Sequence, residues 1–376
     1  MTNLFQKIFG GGAGVFTGES NQSAVGIDIG TSSIKVVEIK KKGGKAVLET
    51  YGAIALGPYA DLEIGRVTNL PIEKVIEALK EVLKQSGVTT NACALSISVQ
   101  SSLIFSIELP GTIKESEMSS IVANEARKYI PVPITEVSLD YFVLPKKELS
   151  FEEANNPDIK LESKDKIEML VVDIQNEAVS KLRSLVVECK LEASFFEVEI
   201  FSSVRANFEH ELSPVLLVDF GASRTKVSLI EFGMVKSYHT INRGGGDITD
   251  AISKSFTIPY EKAEEMKKEF GLFGDPADKN LADIVKVHID YIFSETNNVI
   301  LGYEKKYNRT ISKIIFTGGG ALMKGLSEVA MNDFKAEIEI GRPFSKVGAP
   351  AFLEKVLLAT GPEFAVAIGL ALRKLQ

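Results

Sequence analysis

At 376 residues, with 45% hydrophobic and 25% charged side chains, the chain has the make-up of an ordinary soluble globular protein and the length for two domains. Its net charge of −7 and pI near 5.4 argue against a nucleic-acid surface, which needs clustered Lys and Arg. Two distant cysteines, Cys93 and Cys189, indicate neither a disulfide framework nor a zinc site, and no apolar run approaches the roughly 18 to 20 residues of a transmembrane helix.

Residues 1–23 read as a segment outside the folded core. Leu4, Phe5, Ile8 and Phe9 would form one face of a two-turn helix, and Gly10, Gly11, Gly12, Gly14 and Gly18 make a linker behind it. The start lacks the charged and long apolar regions of a signal peptide, so the expected compartment is the cytosol. Val25 to Ile39 then reads as a β-hairpin: an apolar strand, a turn of small hydroxylated residues at 30–33, and a second strand. A strand over 46–54 and a helix from Pro71, with the stripe Ile72, Val75, Ile76, Leu79, Val82 and Leu83 and a stop at Gly87, open an α/β lobe. Strands at 92–99, 103–109, 137–144 and 167–174, a helix over 114–129 and a charged loop over 146–165 read as a small α+β subdomain, 92–175, inserted into that lobe. A helix over 177–189, a strand over 193–199 and a helix over 201–208 complete the first half.

The second half opens on a copy of the first hairpin. Shifted by 191 positions, Leu216 to Ile230 repeats Val25 to Ile39, with Asp28, Gly30, Ser32, Lys35, Val36 and Ile39 recurring as Asp219, Gly221, Ser223, Lys226, Val227 and Ile230. Next come a glycine turn at 243–246 feeding a helix over 247–255, and a helical insert, about 256–310, with helices over 260–270 and 281–306. The strand 313–317 runs into Gly318, Gly319 and Gly320 and a helix over 322–334. A helix over 363–375, rich in small residues, closes the chain. The expected organisation is a first lobe of 24–91 and 176–212, the insert at 92–175, and a second lobe of 213–376.

Two such turns facing each other make a phosphate site. Gly30 and Gly221 remove the Cβ that would block a ligand from the backbone, so successive N–H groups and the hydroxyls of Thr31, Ser32, Ser33, Ser223 and Thr225 can converge on phosphate oxygens. Asp28 and Asp219 end their strands at the same mouth, where Mg²⁺ with its retained water would relieve their repulsion, and Lys35 and Arg224 offset phosphate charge. The glycines at 318–320 bring further backbone toward the ligand. His210, His239 and His288 are isolated and offer no metal or triad spacing.

The hairpins at 28 and 219, the Gly318–Gly320 run and the Gly245-Gly-Asp-Ile-Thr249 segment resemble the actin, Hsp70 and sugar-kinase superfold, a two-lobed ATPase fold of duplicated RNase H-like domains. Within it, Ala24 to Gly30, Ala126-Arg-Lys-Tyr-Ile-Pro-Val-Pro133 with Asp140 and Tyr141, Ala263-Glu-Glu-Met-Lys267 and Ala367 to Arg373 resemble the PilM family, actin-like components of the type IV pilus assembly platform related to FtsA. The resemblance implies an ATP/ADP cleft. Asp28, Gly30, Thr31, Ser32, Ser33 and Lys35 match its first phosphate loop, and Asp219, Gly221, Ser223, Arg224 and Thr225 its second. Gly318, Gly319 and Gly320 match its adenosine motif, Glu264 and Lys267 match helix positions that border the adenosine, and Gly245 and Gly246 join the cofactor-binding set, with Mg²⁺ held by Asp28 and Asp219 through water. Glu199 falls where relatives carry a residue that orients the attacking water, although a Glu before a helix also complements a helix N-terminus. Phosphate loops establish binding rather than rate, so at most slow ATPase activity is expected. The implied partner is the N-terminal cytoplasmic peptide of a PilN-like membrane protein, in a groove between the first lobe and the insert. Contact with other platform proteins, self-association and recruitment to the inner face of the cytoplasmic membrane through a partner complete that expectation. An FtsA-like amphipathic C-terminal helix is not seen before Gln376. The alternatives are an FtsA-like filament protein and a small-molecule kinase of the same superfold.

Overall fold

The computed structural model describes residues 22–145, 166–209, 211, 213–277 and 280–375. The expected terminal helix and glycine linker, and the 146–165 loop, lie outside them. Among the described residues the strands form three sheets. The first has the order β3 (Lys45–Ala55), β2 (Ser33–Lys42), β1 (Ser23–Ile29), β4 (Ala92–Ile97), β8 (Glu192–Val198). The second has the order β11 (Met234–Ile241), β10 (Thr225–Glu231), β9 (Val215–Phe220), β12 (Lys313–Thr317), β13 (Glu337–Ile340). In each, the middle strand is antiparallel to its hairpin partner and parallel to the strand on its other side. Asp28 stands opposite Lys35, and Asp219 opposite Lys226, so the sequence repeat is also a repeat of register.

The first sheet buries Val25, Ile27, Ile34 and Val36 against Leu79 and Val82 of α1 (Ile72–Gln85), while β5 (Ser102–Pro110), β7 (Lys166–Gln175) and β6 (Val137–Val143) form the third sheet. One face of that sheet is covered by Met118, Val122 and Ala126 of α2 (Glu115–Ala126). The inserted subdomain therefore starts at Ser102, not at residue 92. Ala92–Ile97 is an inner strand that pairs in parallel with β1 on one side and β8 on the other, partners too distant in sequence for a local pattern to reveal. Behind the insert, Leu185 and Val186 of α3 (Asn176–Glu188) join the α1 face of the first sheet.

Two helices exchange lobes. α4 (Glu199–Asn207) follows the last strand of the first sheet, yet Ile200, Phe201 and Val204 pack against Val215, Leu217, Ile230 and Ile315 of the second. The second sheet is covered on its other face by α5 (Gly245–Phe256), α6 (Tyr260–Phe270) and α7 (Asn280–Tyr307), and flanked by α8 (Leu326–Asp333). After the short α9 (Glu354–Thr360), α10 (Ala365–Leu375) returns to pack Ala365, Ala367, Ile368 and Ala371 against Ala24, Val37 and Ile39 of the first sheet. The second lobe thus ends before 365, short of the expected 376. A Cβ on Gly26 would collide with the Ala367 carbonyl, and one on Gly369 with the Ser202 carbonyl, which explains the small residues of this helix. Buried Glu197 ties the exchange together: Arg205 grips its two oxygens at 2.7 Å each, and Arg373 donates at 2.5 Å. By length and composition Ala351–Leu375 is apolar enough to cross a membrane, contrary to the reading of the sequence. Here 61% of its most apolar window is buried inside the protein, as befits a core helix.

Candidate functional site

Both hairpin turns close alike. Gly30 N–H donates to the Ser33 carbonyl and Gly221 N–H to the Arg224 carbonyl, each at 3.0 Å, and a Cβ on either glycine would press that carbonyl at 3.0 and 2.9 Å. The turns meet across the lobes, where the Thr31 hydroxyl donates to the Ser223 hydroxyl at 3.2 Å. Beneath them lies a cavity of about 530 Å³, inside the usual range for a small-molecule site. Of the residues singled out from sequence, all but Thr225 border it. Thr225 is fully buried, and its hydroxyl donates to the Arg243 carbonyl at 2.9 Å.

The charged floor comes from both lobes. Asp28 is 7% exposed and accepts from the Ser96 hydroxyl at 2.9 Å, which in turn accepts from Ile29 N–H at 3.2 Å. Burial pushes the Asp28 carboxyl up to about 6, with the Lys35 charge opposing it. The Lys35 ammonium donates to Ser33 Oγ at 2.9 Å. Glu199 is the first residue of α4, not the end of a strand. Its Oε1 accepts from Val99 N–H at 3.0 Å and its Oε2 from the Lys226 ammonium at 2.5 Å. Lys226 also reaches Asp219 Oδ2 at 3.4 Å. Burial works against the charged form of Lys226, but Asp219 and Glu199 outweigh it and hold the amine above the ordinary lysine range.

On the far side, the Lys267 ammonium donates to the Gly245 carbonyl at 3.0 Å, Thr249 Oγ1 at 2.8 Å and Glu264 Oε2 at 2.6 Å. An ammonium has three protons, and Lys267 spends them bracing the Gly245 turn at the border of the cavity. Burial raises the Glu264 carboxyl, and Lys267 with Thr249 more than reverses that. Gly318 adopts φ 81°, and a Cβ there would sit 2.5 Å from Asp219 Oδ1. A Cβ on Gly320 would strike the Phe220 ring, whereas one on Gly319 would meet only the Glu363 side chain at 3.7 Å and beyond. The expected helix at 322 starts later, at Leu326, after a short 3₁₀ turn over Gly319–Leu322 and Gly325 at φ 83°.

The loop joining β3 to α1 crosses the cleft. Arg66 donates to Asp250 Oδ1 at 2.6 Å and its guanidinium lies 3.8 Å over the Tyr260 ring, while the Tyr260 hydroxyl donates to the Gly65 carbonyl at 3.2 Å. Ile64 and Gly65 border the cavity. Nothing in the sequence marks this loop, because its partners are more than 180 residues away.

A Mg²⁺ ion fits here only in company. Among the described residues no group of three or more His, Cys, Asp or Glu side chains gathers to hold a metal, so Asp28 and Asp219 would hold one jointly with phosphate oxygens and water.

Set beside known proteins, residues 26–375 match a family model described as type IV pilus assembly protein PilM. The cell division protein FtsA of Pseudomonas aeruginosa is 24% identical over 91% of this chain and 88% of its own length. Among solved structures, the PilM-PilN type IV pilus biogenesis complex has a chain that aligns with a TM-score of 0.78 at 24% identity, covering 95% of this chain and all of its own. The ethanolamine utilization protein EutJ from Carboxydothermus hydrogenoformans aligns with a TM-score of 0.54 at 16% identity, covering 95% of this chain and 91% of its own.

Proposed function

The chain belongs to the PilM family of type IV pilus assembly proteins, and from that premise we propose that it binds an adenine nucleotide between its lobes and uses lobe closure to govern a contact with a membrane partner. The observation that carries the nucleotide reading is the meeting of two glycine-closed, hydroxyl-bearing turns at Thr31 and Ser223 over a cavity of about 530 Å³. Backbone N–H groups and hydroxyls of 31–33 and 223–224 receive the phosphates, and Lys35 and Arg224 neutralise them. Glu264 and the Gly318–Gly320 run border the adenosine end. Asp28 and Asp219 would hold Mg²⁺ jointly with the phosphates, and the ion would supply further neutralisation of the phosphate oxygens. Glu199 lines the cleft with one oxygen on Val99 N–H and the other on the Lys226 ammonium, and hydrolysis is slow at most.

The partner is the N-terminal cytoplasmic peptide of a PilN-like membrane protein, taken by strand addition and side-chain pockets in a groove between the first lobe and the inserted subdomain. Through it the protein is held at the inner face of the cytoplasmic membrane, beside the other platform proteins. Because a ligand shifts lobe closure only by its differential affinity for the two states, nucleotide and peptide are coupled reciprocally. Calorimetric titration with Mg-ATP, then with the peptide with and without nucleotide, tests this. Peptide binding that changes with nucleotide is expected; nucleotide binding with no response to any such peptide would end the platform reading. The similarity to FtsA over 91% of the chain favours filament formation as the second reading, and ATP-dependent sedimentation tests it.

A further inference from the structure

The apolar stretch Ala351–Leu375 is divided in its surroundings. From Ala365 onward it is α10, packed inside the protein, whereas its first part lies outside. Phe352 is 82% exposed, more than any other large hydrophobic side chain among the described residues, and Val356 is 47% exposed. Ala349, Pro350, Ala351 and Ala359 are exposed as well, and between 349 and 359 the only polar side chains are Glu354 and Lys355. Such a run is a surface patch rather than a scatter of single apolar residues. It sits beside a basic turn. Gly348 N–H donates to the Ala46 carbonyl and Leu48 N–H to the Gly348 carbonyl, each at 2.8 Å, which ties the run to the start of β3. The hairpin from β2 to β3 carries Lys40, Lys41, Lys42 and Lys45 there, with Glu49 paired to Lys42 at 2.6 Å. The Lys41 ammonium donates to the Leu375 carbonyl at 3.3 Å and Lys41 N–H to the Gln22 carbonyl at 2.8 Å, so α10 ends and residues 1–21 join the fold at this same corner.

We propose that this corner docks directly on the surface of an anionic lipid bilayer, with Phe352 and Val356 entering the interfacial layer and the lysines of the β2–β3 turn lying among the headgroups. On a protein of net charge −7, four lysines within six residues are a local excess of positive charge. A bilayer surface receives both halves of the corner at once, because its headgroups attract cations while the acyl boundary just beneath them takes up apolar side chains. With one exposed aromatic ring and a few lysines the contact is weak and sensitive to salt. It adds to attachment through a protein partner and stands independently of the nucleotide and peptide readings above.

The test is flotation of the full chain with vesicles of mixed phosphatidylglycerol and phosphatidylcholine, against vesicles of phosphatidylcholine alone. Binding is expected to the mixed vesicles only, and it should fall as salt is raised. Phe352→Ser should lower the partition about fivefold or more, and Lys42→Gln with Lys45→Gln about tenfold. Val287→Ser removes a side chain on α7 that is 68% exposed and should float like the parent. Thermal melting checks that each variant folds. No flotation with either vesicle, equal flotation with both, or an unchanged partition for Phe352→Ser would overturn the proposal. Binding lost in Phe5→Ser with Phe9→Ser, but kept in the Phe352 and lysine variants, would also overturn it by assigning the contact to residues 1–21. Self-association that Phe352→Ser abolishes, with no flotation of the parent, would make the run a contact between copies instead.

Discussion

Thr31 and Ser223, 192 residues apart in sequence, are joined hydroxyl to hydroxyl at 3.2 Å. This contact is where the two phosphate turns touch, so the oxygens of a bound triphosphate must compete with it or share it. Removing either hydroxyl, as Thr31→Ala or Ser223→Ala, should weaken nucleotide binding about fivefold, the worth of one neutral hydrogen bond. The double variant should lose less than the product of the two, because each hydroxyl loses its partner when the other goes. Losses that multiply in full would show that the two turns act independently.

Arg66 fastens the loop that crosses the cleft. The Arg66 and Asp250 side chains are 31% and 43% exposed, so their ion pair is screened and contributes under about 1 kcal/mol. The stacking on Tyr260 adds a similar amount. Arg66→Ala should therefore speed nucleotide release several-fold, measured by stopped-flow displacement of a fluorescent analogue. The charge-swapped pair Arg66→Asp with Asp250→Arg should restore part of the slow release. An unchanged rate in Arg66→Ala would mean that the loop does not gate the site.

Asp28 sets a pH dependence of stability. Its carboxyl titrates near 6 when folded, against an ordinary value of 3.8, so the folded chain holds the proton more tightly than the unfolded one. Its contribution is most favourable below the unfolded value and is lost as pH rises toward 6, by about 3 kcal/mol in all. Asp28→Asn carries no such group. In metal-free and nucleotide-free urea titrations, the variant should gain stability relative to the parent between pH 4 and 7. A difference that stays flat with pH would show that burial does not tune this carboxyl.

Gly318 and Gly319 should respond oppositely to alanine. At Gly318 the positive φ and the 2.5 Å approach to Asp219 Oδ1 act together. Gly318→Ala should destabilise by about 2 kcal/mol or more and displace Asp219 from Lys226. Gly319→Ala has ordinary spacing and should melt close to the parent. Equal melting of the two variants in calorimetry would contradict this geometry.

The parts of the site that are local in sequence could be read from it. The Asp28 and Asp219 hairpins and the Gly318–Gly320 run carry their turn chemistry within a few residues, and their repetition made the two-lobed fold legible. What could not be read depends on distant partners. Lys226 recurs as the copy of Lys35, yet its bond to Glu199 is set by how the lobes face each other. Ser96 and Thr249, which support Asp28 and Glu264, carry no pattern of their own. β11 carries no clear strand signal, because Lys236, Ser237, His239 and Thr240 interrupt its apolar residues on an edge of the sheet. Which sheet the 92–97 strand joins and which lobe α10 covers depend on partners far away in sequence, so neither boundary is legible locally.

The exchange of α4 and α10 also orders events during synthesis. The first sheet emerges from the ribosome early, but Ala24, Val37 and Ile39 are covered by residues 365–371, which are made much later. At ordinary translation rates that leaves the apolar face open for roughly twenty seconds to a minute. Neither lobe can be finished as an independent unit, and Glu197 waits for Arg373 over the same interval. A nascent chain halted before residue 365 would present a sticky, chaperone-dependent first lobe, however complete the nucleotide turns themselves already are.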